Sequence, residues 1–430
     1  MNKVISVLFV FFLIGCSFTK TSFWTQDKEI KEVKKNTKII FQKKEIIKKE
    51  FNQNFVLDLK NSDLNFKKNY LTNNLGIENL NAEVSKRSKF KFSKIKDFEY
   101  HEPELNFDGE NFIFFDDKGT LLKFDSDFRI IWKKNFYSKQ EKKLNPILTL
   151  ANNGKLLIVF DNISKYYAVD LKTGDLIWSK ISKNPSNSQI KVFKDKVYSV
   201  DLNNVLRCFS IIDGSEIWNF KSENTFLKSN KRNSLIIKND IVLINNSLGD
   251  ISAINANDGS LVWQLPTQSS DIYESAFNLI MSDLVSVNND LVFSNNRNEF
   301  FSINLINGVV NWKQEINSSV MPLFYGKLIF SISDEGYFFV VDSKTGNILR
   351  ITDIFGSINK NKRNKIKPIG FITGKKNILL STNSGKLLII NISDGRTEKV
   401  LKIDNEKISR PYVFNNNLVL VTNNSIIKLN

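Results

Sequence analysis

Few side chains in this 430-residue chain are of the kind that does chemistry. There is a single histidine, His101, in Tyr100-His101-Glu102-Pro103, and there are two cysteines, Cys16 and Cys208. One imidazole cannot build a His-rich zinc site, and it leaves acid–base catalysis no imidazole set beside a nucleophile. His101 is therefore read as a satisfied residue at the edge of the folded body. The Asp-rich turns at Asp116-Asp117 and at Asp125 with Asp127 offer carboxylates to a cation, but neither has the ligand spacing of a calcium loop. Cys208, inside Leu206-Arg207-Cys208-Phe209, reads as a small buried hydrophobe. The expectation is a chain with no catalytic residue, no metal site and no cofactor.

Cys16 is different, because of what precedes it. Lys3 leads an apolar run at residues 4–14, well short of the ~20 residues that span a bilayer. Residues 1–15 thus read as a signal peptide. Leu13-Ile14-Gly15-Cys16 resembles the bacterial lipobox, in which cleavage before the cysteine frees its thiol to carry lipid. More than one acyl chain on Cys16 would hold the protein on a membrane surface, where a single chain binds only marginally. Ser17 follows, and in the Gram-negative lipoproteins that this segment resembles, that residue favours transfer to the outer membrane. With Cys16 lipidated, Cys208 has no disulfide partner, so an exported chain of this length must be held by its core.

The elements that build that core announce themselves by repetition. Residues 166–178 end in Asp170-Leu171-Lys172-Thr173-Gly174-Asp175-Leu176-Ile177-Trp178, a strand, a tight turn and a second strand. The pattern returns around Gly214 with Trp218, Gly259 with Trp263, and Gly308 with Trp312, the Trp always four positions after the Gly. Gly346 and Gly395 keep the turn without the aromatic, and an earlier copy keeps Trp132 without the glycine. From Gly174 through Gly395 the steps are 40, 45, 49, 38 and 49 residues, enough for four short strands with their turns. That is the unit of a β-propeller blade, and no 3.6-residue apolar period competes with it. Apolar runs such as Leu156-Leu157-Ile158-Val159-Phe160 lack alternation and suit strands buried on both faces. The Trp begins the outer strand and covers the gap to the next blade, a structural role.

Counting turns gives an all-β propeller of about eight four-stranded antiparallel blades over residues 88–430, with seven as the other count. The last fragment, residues 408–430, lacks a fourth strand, and an open edge invites pairing. Phe90-Lys91-Phe92-Ser93-Lys94-Ile95, alternating apolar with polar, is the strand expected to close it. Residues 16–87 contain no repeat and are rich in Lys, Asn and Glu, so they read as a solvated tether. Ile30, Val33, Ile40, Phe41, Ile47 and Phe51 lie near helical spacing, which leaves open a short docking or membrane-surface helix. The formal charge of +16 is consistent with an acidic partner, but no nucleic-acid motif accompanies it, and it is read as solvated surface.

The Ala-x-Asp-x-x-Thr-Gly-x-x-x-Trp pattern of residues 168–178 resembles the repeat of pyrroloquinoline-quinone-type propellers. With the lipobox, the tether and the blade count, the chain resembles the BamB-type lipoproteins of the outer-membrane β-barrel assembly machinery. The resemblance implies a non-enzymatic scaffold, a monomer within a complex, docked on the periplasmic domains of the barrel protein BamA. It implies contacts from loops on one face, matching Thr225-Phe226-Leu227-Lys228-Ser229 and Met281-Ser282-Asp283-Leu284 here. Phe226, Leu227, Lys228 and Asp283 are the expected partner-binding residues, although Lys228 stands where the family has Arg and lacks its bidentate fork. The alternative is a ligand-binding or quinoprotein-like periplasmic propeller. A quinoprotein of this superfamily resembles longer chains with adjacent cysteines, and there is no Cys-Cys pair here.

Overall fold

The computed structural model describes residues 45–57, 67–78, 87–101, 103–222, 231–267 and 279–429. The signal peptide, Cys16, most of the tether, and Phe226, Leu227 and Lys228 lie outside the described residues. The described chain forms eight four-stranded antiparallel sheets, the blades of a propeller. Blades 1 to 7 are continuous in sequence, at residues 106–134, 148–181, 191–221, 235–265, 285–314, 323–353 and 368–402. Blade 8 combines residues 412–429 with Arg87–Lys91, which pairs antiparallel with Ser425–Leu429. The closing strand therefore begins three residues and ends four residues earlier than the alternation at Phe90 to Ile95 implies. Beyond it, Phe92 and Ile95 still donate backbone hydrogen bonds to Asn424 and Asn423.

Burial follows position within the blade. In blade 2 the second and third strands, Leu156–Asp161 and Lys165–Asp170, are almost wholly buried between neighbouring blades. The fourth, Leu176–Ile181, is largely exposed. This is the physical origin of the unalternating apolar runs. The turn into the fourth strand is fixed by Asp170, whose Oδ1 accepts from the amides of Lys172 and Thr173, and by Gly174 at φ +73°.

The seams between blades explain the spacing of Gly and Trp. In blades 2 to 5 the third-to-fourth strand pairing has a bulge just after the residue opposite the Trp: Ala168 for Trp178, Cys208 for Trp218, Ala253 for Trp263, Ser302 for Trp312; in blade 1 the residue opposite Trp132 is Lys123. In blades 2 to 5 the residue opposite the indole is small, and Cys208 takes that place, buried, in blade 3. The indole then crosses to the turn glycine of the next blade. A Cβ on Gly214 would lie 2.6 Å from Trp178, and Gly174, Gly259, Gly308 and Gly346 meet Trp132, Trp218, Trp263 and Trp312 in the same way. Indole N–H groups donate across the seam to the carbonyl three residues before that glycine: Trp178 to Ile211 at 2.9 Å, Trp263 to Leu305 at 3.1 Å and Trp312 to Ser343 at 2.9 Å. Trp132 reaches Leu171 at 3.4 Å. Trp218 is the exception. Tyr198 Oη takes the corresponding carbonyl of Ala256 at 2.9 Å, and the buried Trp218 Nε1 has no acceptor.

The seam from blade 6 to blade 7 has no Trp, and Arg350 occupies its place, four residues after Gly346. Arg350 is fully buried and donates from Nη2 to Ile392 at 2.9 Å, the carbonyl an indole would use opposite Gly395. Its Nη1 donates to Ser393 and, at 3.0 Å, to Phe55. Phe55 belongs to the stretch expected as a solvated tether. Instead, residues 46–57 lie on blade 6: Phe51 exchanges backbone hydrogen bonds with Ile351, and Tyr337 Oη donates to the Lys48 carbonyl. Phe51 is therefore in a strand-like bridge and outside any helix. Backbone pairing of this kind needs no apolar pattern, so the segment's polar composition did not reveal it.

Candidate functional site

In an antiparallel meander the turns joining strands one to two and three to four share a face, and links between blades share the opposite face. The Asp-Gly turns thus lie on one side. The described inter-blade links lie on the other. As each link enters its next blade it delivers a residue towards the propeller axis. Glu104 precedes blade 1, Arg232 precedes blade 4, Asp283 precedes blade 5 and Arg410 precedes blade 8, while Lys191 opens blade 3.

These groups meet across the axis. Glu104 Oε1 receives Arg232 Nη2 at 2.7 Å and Arg410 Nη2 at 2.5 Å. Burial alone would raise the Glu104 carboxyl, but the two guanidiniums outweigh it and hold the group well below the usual carboxylate range. Burial opposes the charge on Arg410 as well, and Glu104 more than compensates. Lys191 has the opposite balance: burial pushes its ammonium down to about 8 despite Glu104 and Asp283. His101 lines the same centre, and burial lowers its pKa. Its backbone carbonyl accepts from Lys407 at 3.0 Å, so it belongs to the axis and not to a blade edge.

Residues 67–78 cover this centre. Asn69 caps a short 3-10 turn at Tyr70–Thr72, and Asn73 follows in the left-handed region. The Asn73 amide nitrogen lies 2.9 Å from Gln189 Oε1, 3.2 Å from Ser234 Oγ and 2.9 Å from the Leu284 carbonyl, touching blades 3, 4 and 5 at once. Lys191 Nζ donates back to Asn73 Oδ1 at 2.7 Å and to the Tyr70 carbonyl. Beneath lies a cavity of about 210 Å³ whose walls include Lys191, Arg410, Glu104 and Tyr412. Farther along the segment Glu78 pairs with Lys68 at 2.6 Å, and its backbone bridges to Gly374.

Asp283 is the one expected partner-binding residue inside the described chain, and it is only 4% exposed. It sits one residue from fully buried Leu284, just before blade 5 begins at Val285, and lines the axial centre beside Glu104, Arg232 and Arg410, so it is not displayed on a docking loop. The repeat residues gather in the seams, away from the axis. The Asp-rich turns are explained locally: Asp116 Oδ1 accepts from Lys118 and Thr120 amides, and Asp125 Oδ1 from Asp127 and Arg129. Among the described residues no three His, Cys, Asp or Glu side chains converge as metal ligands, and no helix is long and apolar enough to cross a membrane. Sequence reading missed Glu104, Lys191, Arg232, Arg410 and Asn73. The available signal was a charged residue at or before the opening of a blade's first strand, as in Ser409-Arg410-Pro411.

The sequence profile of the family described as outer membrane protein assembly factor BamB matches residues 117–352. Among curated proteins, BamB of Moranella endobia is 24% identical over 270 residues, covering 62% of this chain and 67% of that protein. BamB of Legionella pneumophila is 24% identical over 161 residues, 37% of each chain. Among solved structures, BamB from Moraxella catarrhalis superposes with a TM-score of 0.63 at 16% identity, over 80% of this chain and 99% of that one. At that identity the likeness speaks for the fold alone.

Proposed function

Because the chain belongs to the family of the outer membrane protein assembly factor BamB, we propose that it is a non-enzymatic scaffold lipoprotein of the β-barrel assembly machinery. In this reading Cys16 carries the lipid, the mature chain is held at the periplasmic face of the outer membrane, and the propeller docks on the periplasmic domains of a BamA-like barrel protein. The observation that carries it is the family match over the blades, on a ring whose axis is spanned by ion pairs between blades 1, 4 and 8. Ties of that kind favour a rigid platform whose inter-blade loops keep a fixed spacing.

Docking is assigned to the face of the inter-blade links, through Phe226, Leu227 and Lys228. Asp283, being buried, acts there as a support and not as a contact. A platform tethered beside the barrel protein raises the local concentration of its domains and of incoming substrate. The test is recovery from detergent-solubilised membranes with a tagged chain, beside Phe226→Ala combined with Lys228→Ala. A BamA-type barrel in the wild-type eluate, lost from the double variant with its far-UV spectrum unchanged, supports both scaffold and loop. Recovery in both keeps the scaffold and discards the loop. Its absence from both discards the scaffold.

A further inference from the structure

The link from blade 6 to blade 7 contains Lys360, Lys362, Arg363, Lys365 and Lys367 within eight residues. Part of it is a short helix at Lys360–Arg363 capped by Asn359. Ile366 is buried and Arg363 half-buried, whereas Lys362, Lys365 and Lys367 are exposed. Arg363 Nη1 pairs with Asp353 at 2.6 Å, and its guanidinium lies over the Tyr337 ring. The arm at residues 46–50 meets the same two residues. Tyr337 Oη donates to the Lys48 carbonyl at 2.8 Å, and the Asp353 amide donates to Glu50 Oε1 at 3.1 Å. Tyr337 opens the third strand of blade 6 and Asp353 ends its fourth, so both stand at the link face. Exposed Lys48 and Lys49 thus join the three link lysines in one patch, where the chain coming from Cys16 enters the ring.

A surplus of positive charge survives a full count of this patch. Residues 46–50, 334–335 and 353–367 hold seven Lys and Arg against four Asp and Glu. The acids are already engaged: Asp353 by Arg363, Asp334 Oδ1 by Ser319, Glu335 Oε1 by Asn317, and Glu50 by the Asp353 amide. Among the described residues, Lys48, Lys49, Lys362 and Lys365 have no acidic partner, and Lys367 reaches only the Asp334 carbonyl, at 3.4 Å. The exposed residues between the link lysines are Asn361 and Asn364, with Gly356, Ser357 and Asn359 before them. Protein interface cores are depleted in Lys and enriched in aromatic residues, so this composition does not suit one. A cluster of about four to eight Lys and Arg suits the anionic headgroup layer of a membrane.

We propose that this patch binds an anionic phospholipid surface and turns the blade 6 to blade 7 side of the link face towards the bilayer. Thirty positions separate Cys16 from Ile46, a reach of up to about 100 Å when extended, so lipid on Cys16 tethers the ring without orienting it. The lysines supply the orientation. Docking is assigned to the link between blades 3 and 4, three blades around the ring, so the two contacts do not compete. The inference deepens the lipoprotein reading and rests on it for the presence of a membrane, but its test runs without lipid, so the two can fail separately.

The experiment uses the mature chain with Cys16→Ser, which carries no acyl group and keeps every described residue. It is co-sedimented with vesicles of phosphatidylcholine alone and with vesicles in which about a third of the lipid is phosphatidylglycerol, at low and at ~0.15 M ionic strength. The expected result is binding to the anionic vesicles alone, weakened by salt. Lys362→Glu combined with Lys365→Glu should lower the partition coefficient at least ~tenfold. Lys155→Glu combined with Lys172→Glu makes the same charge change in exposed turns on the opposite face and should leave it within about twofold. Equal binding to both vesicle types, or equal loss in the two double variants, overturns the proposal. Absence of binding to the anionic vesicles also overturns it and leaves the patch to an acidic protein surface.

Discussion

Trp178 and Trp218 form a matched pair that isolates a single hydrogen bond. Each indole packs against a turn glycine whose added Cβ would lie 2.6 Å away, and each has a tyrosine ring centred 5.8 Å from it. Replacing either by Phe removes the same ring volume, so the cavity and transfer costs largely cancel between the two variants. The N–H does not cancel. Trp178→Phe orphans the Ile211 carbonyl, now bonded at 2.9 Å, at a cost of about 1–3 kcal/mol. Trp218→Phe removes a buried N–H that has no acceptor, and so relieves a desolvation cost of about the same size. Trp178→Phe should therefore be the more destabilising by about 2 kcal/mol or more, each of the two effects being about 1 kcal/mol at its lower bound. Equilibrium urea unfolding with equal m-values measures it. Tyr198→Phe removes the tyrosine donor from the Ala256 carbonyl, leaving only Lys196 Nζ at 3.5 Å, and in that background Trp218→Phe should cost more than it does in the wild-type background. Equal costs for the two single variants in the wild-type background would refute the reasoning.

Other outcomes follow from the same geometry. Gly259→Ala drives a Cβ into Trp218 at φ +78°, while Gly154→Ala at φ +85° meets nothing within 4 Å. The second should cost only the left-handed backbone strain of about 1–2 kcal/mol, and the first clearly more, by thermal unfolding of both. Arg350→Ala should lose about 2–4 kcal/mol and loosen the backbone of residues 48–55, so that trypsin cuts faster after the already exposed Lys48 and Lys49. Arg350→Trp should restore the seam through the Ile392 carbonyl but not the Phe55 bond, leaving the faster cutting in place. Lys191 has its folded pKa depressed to about 8 from an ordinary 10.5, so the unfolded chain binds more protons between those values. Stability should rise with pH across that window, and Lys191→Met should remove the rise.

The blade count was legible because one turn, fixed by an Asx cap, a left-handed Gly and a Trp, recurs with constant internal spacing. The closing strand was legible from the edge that blade 8 would otherwise leave open, though alternation at Phe90 to Ile95 misplaced its bounds. Arg350 hid because a cationic fork replaces an indole by satisfying the same carbonyl, an equivalence invisible to an aromatic pattern. Residues 46–57 hid because they attach through backbone groups and amide side chains such as Asn52 and Gln53. The axial centre was illegible for a different reason. Glu104, Lys191, Arg232 and Arg410 come from four blades spread over some three hundred residues, and only ring closure brings them together. Asp283 was singled out because the resemblance implies acidic contacts in that loop, whereas here the last residue before the blade is buried at the axial centre.

The most direct measurement is a binding titration of the purified mature chain against the purified periplasmic domains of the BamA-type barrel protein from the same cells. The scaffold account predicts saturable one-to-one binding, weakened by changes at Phe226 and Lys228 and indifferent to Asp175→Ala on the opposite face. Absence of binding at concentrations well above those of the envelope, or equal weakening by Asp175→Ala, would contradict it.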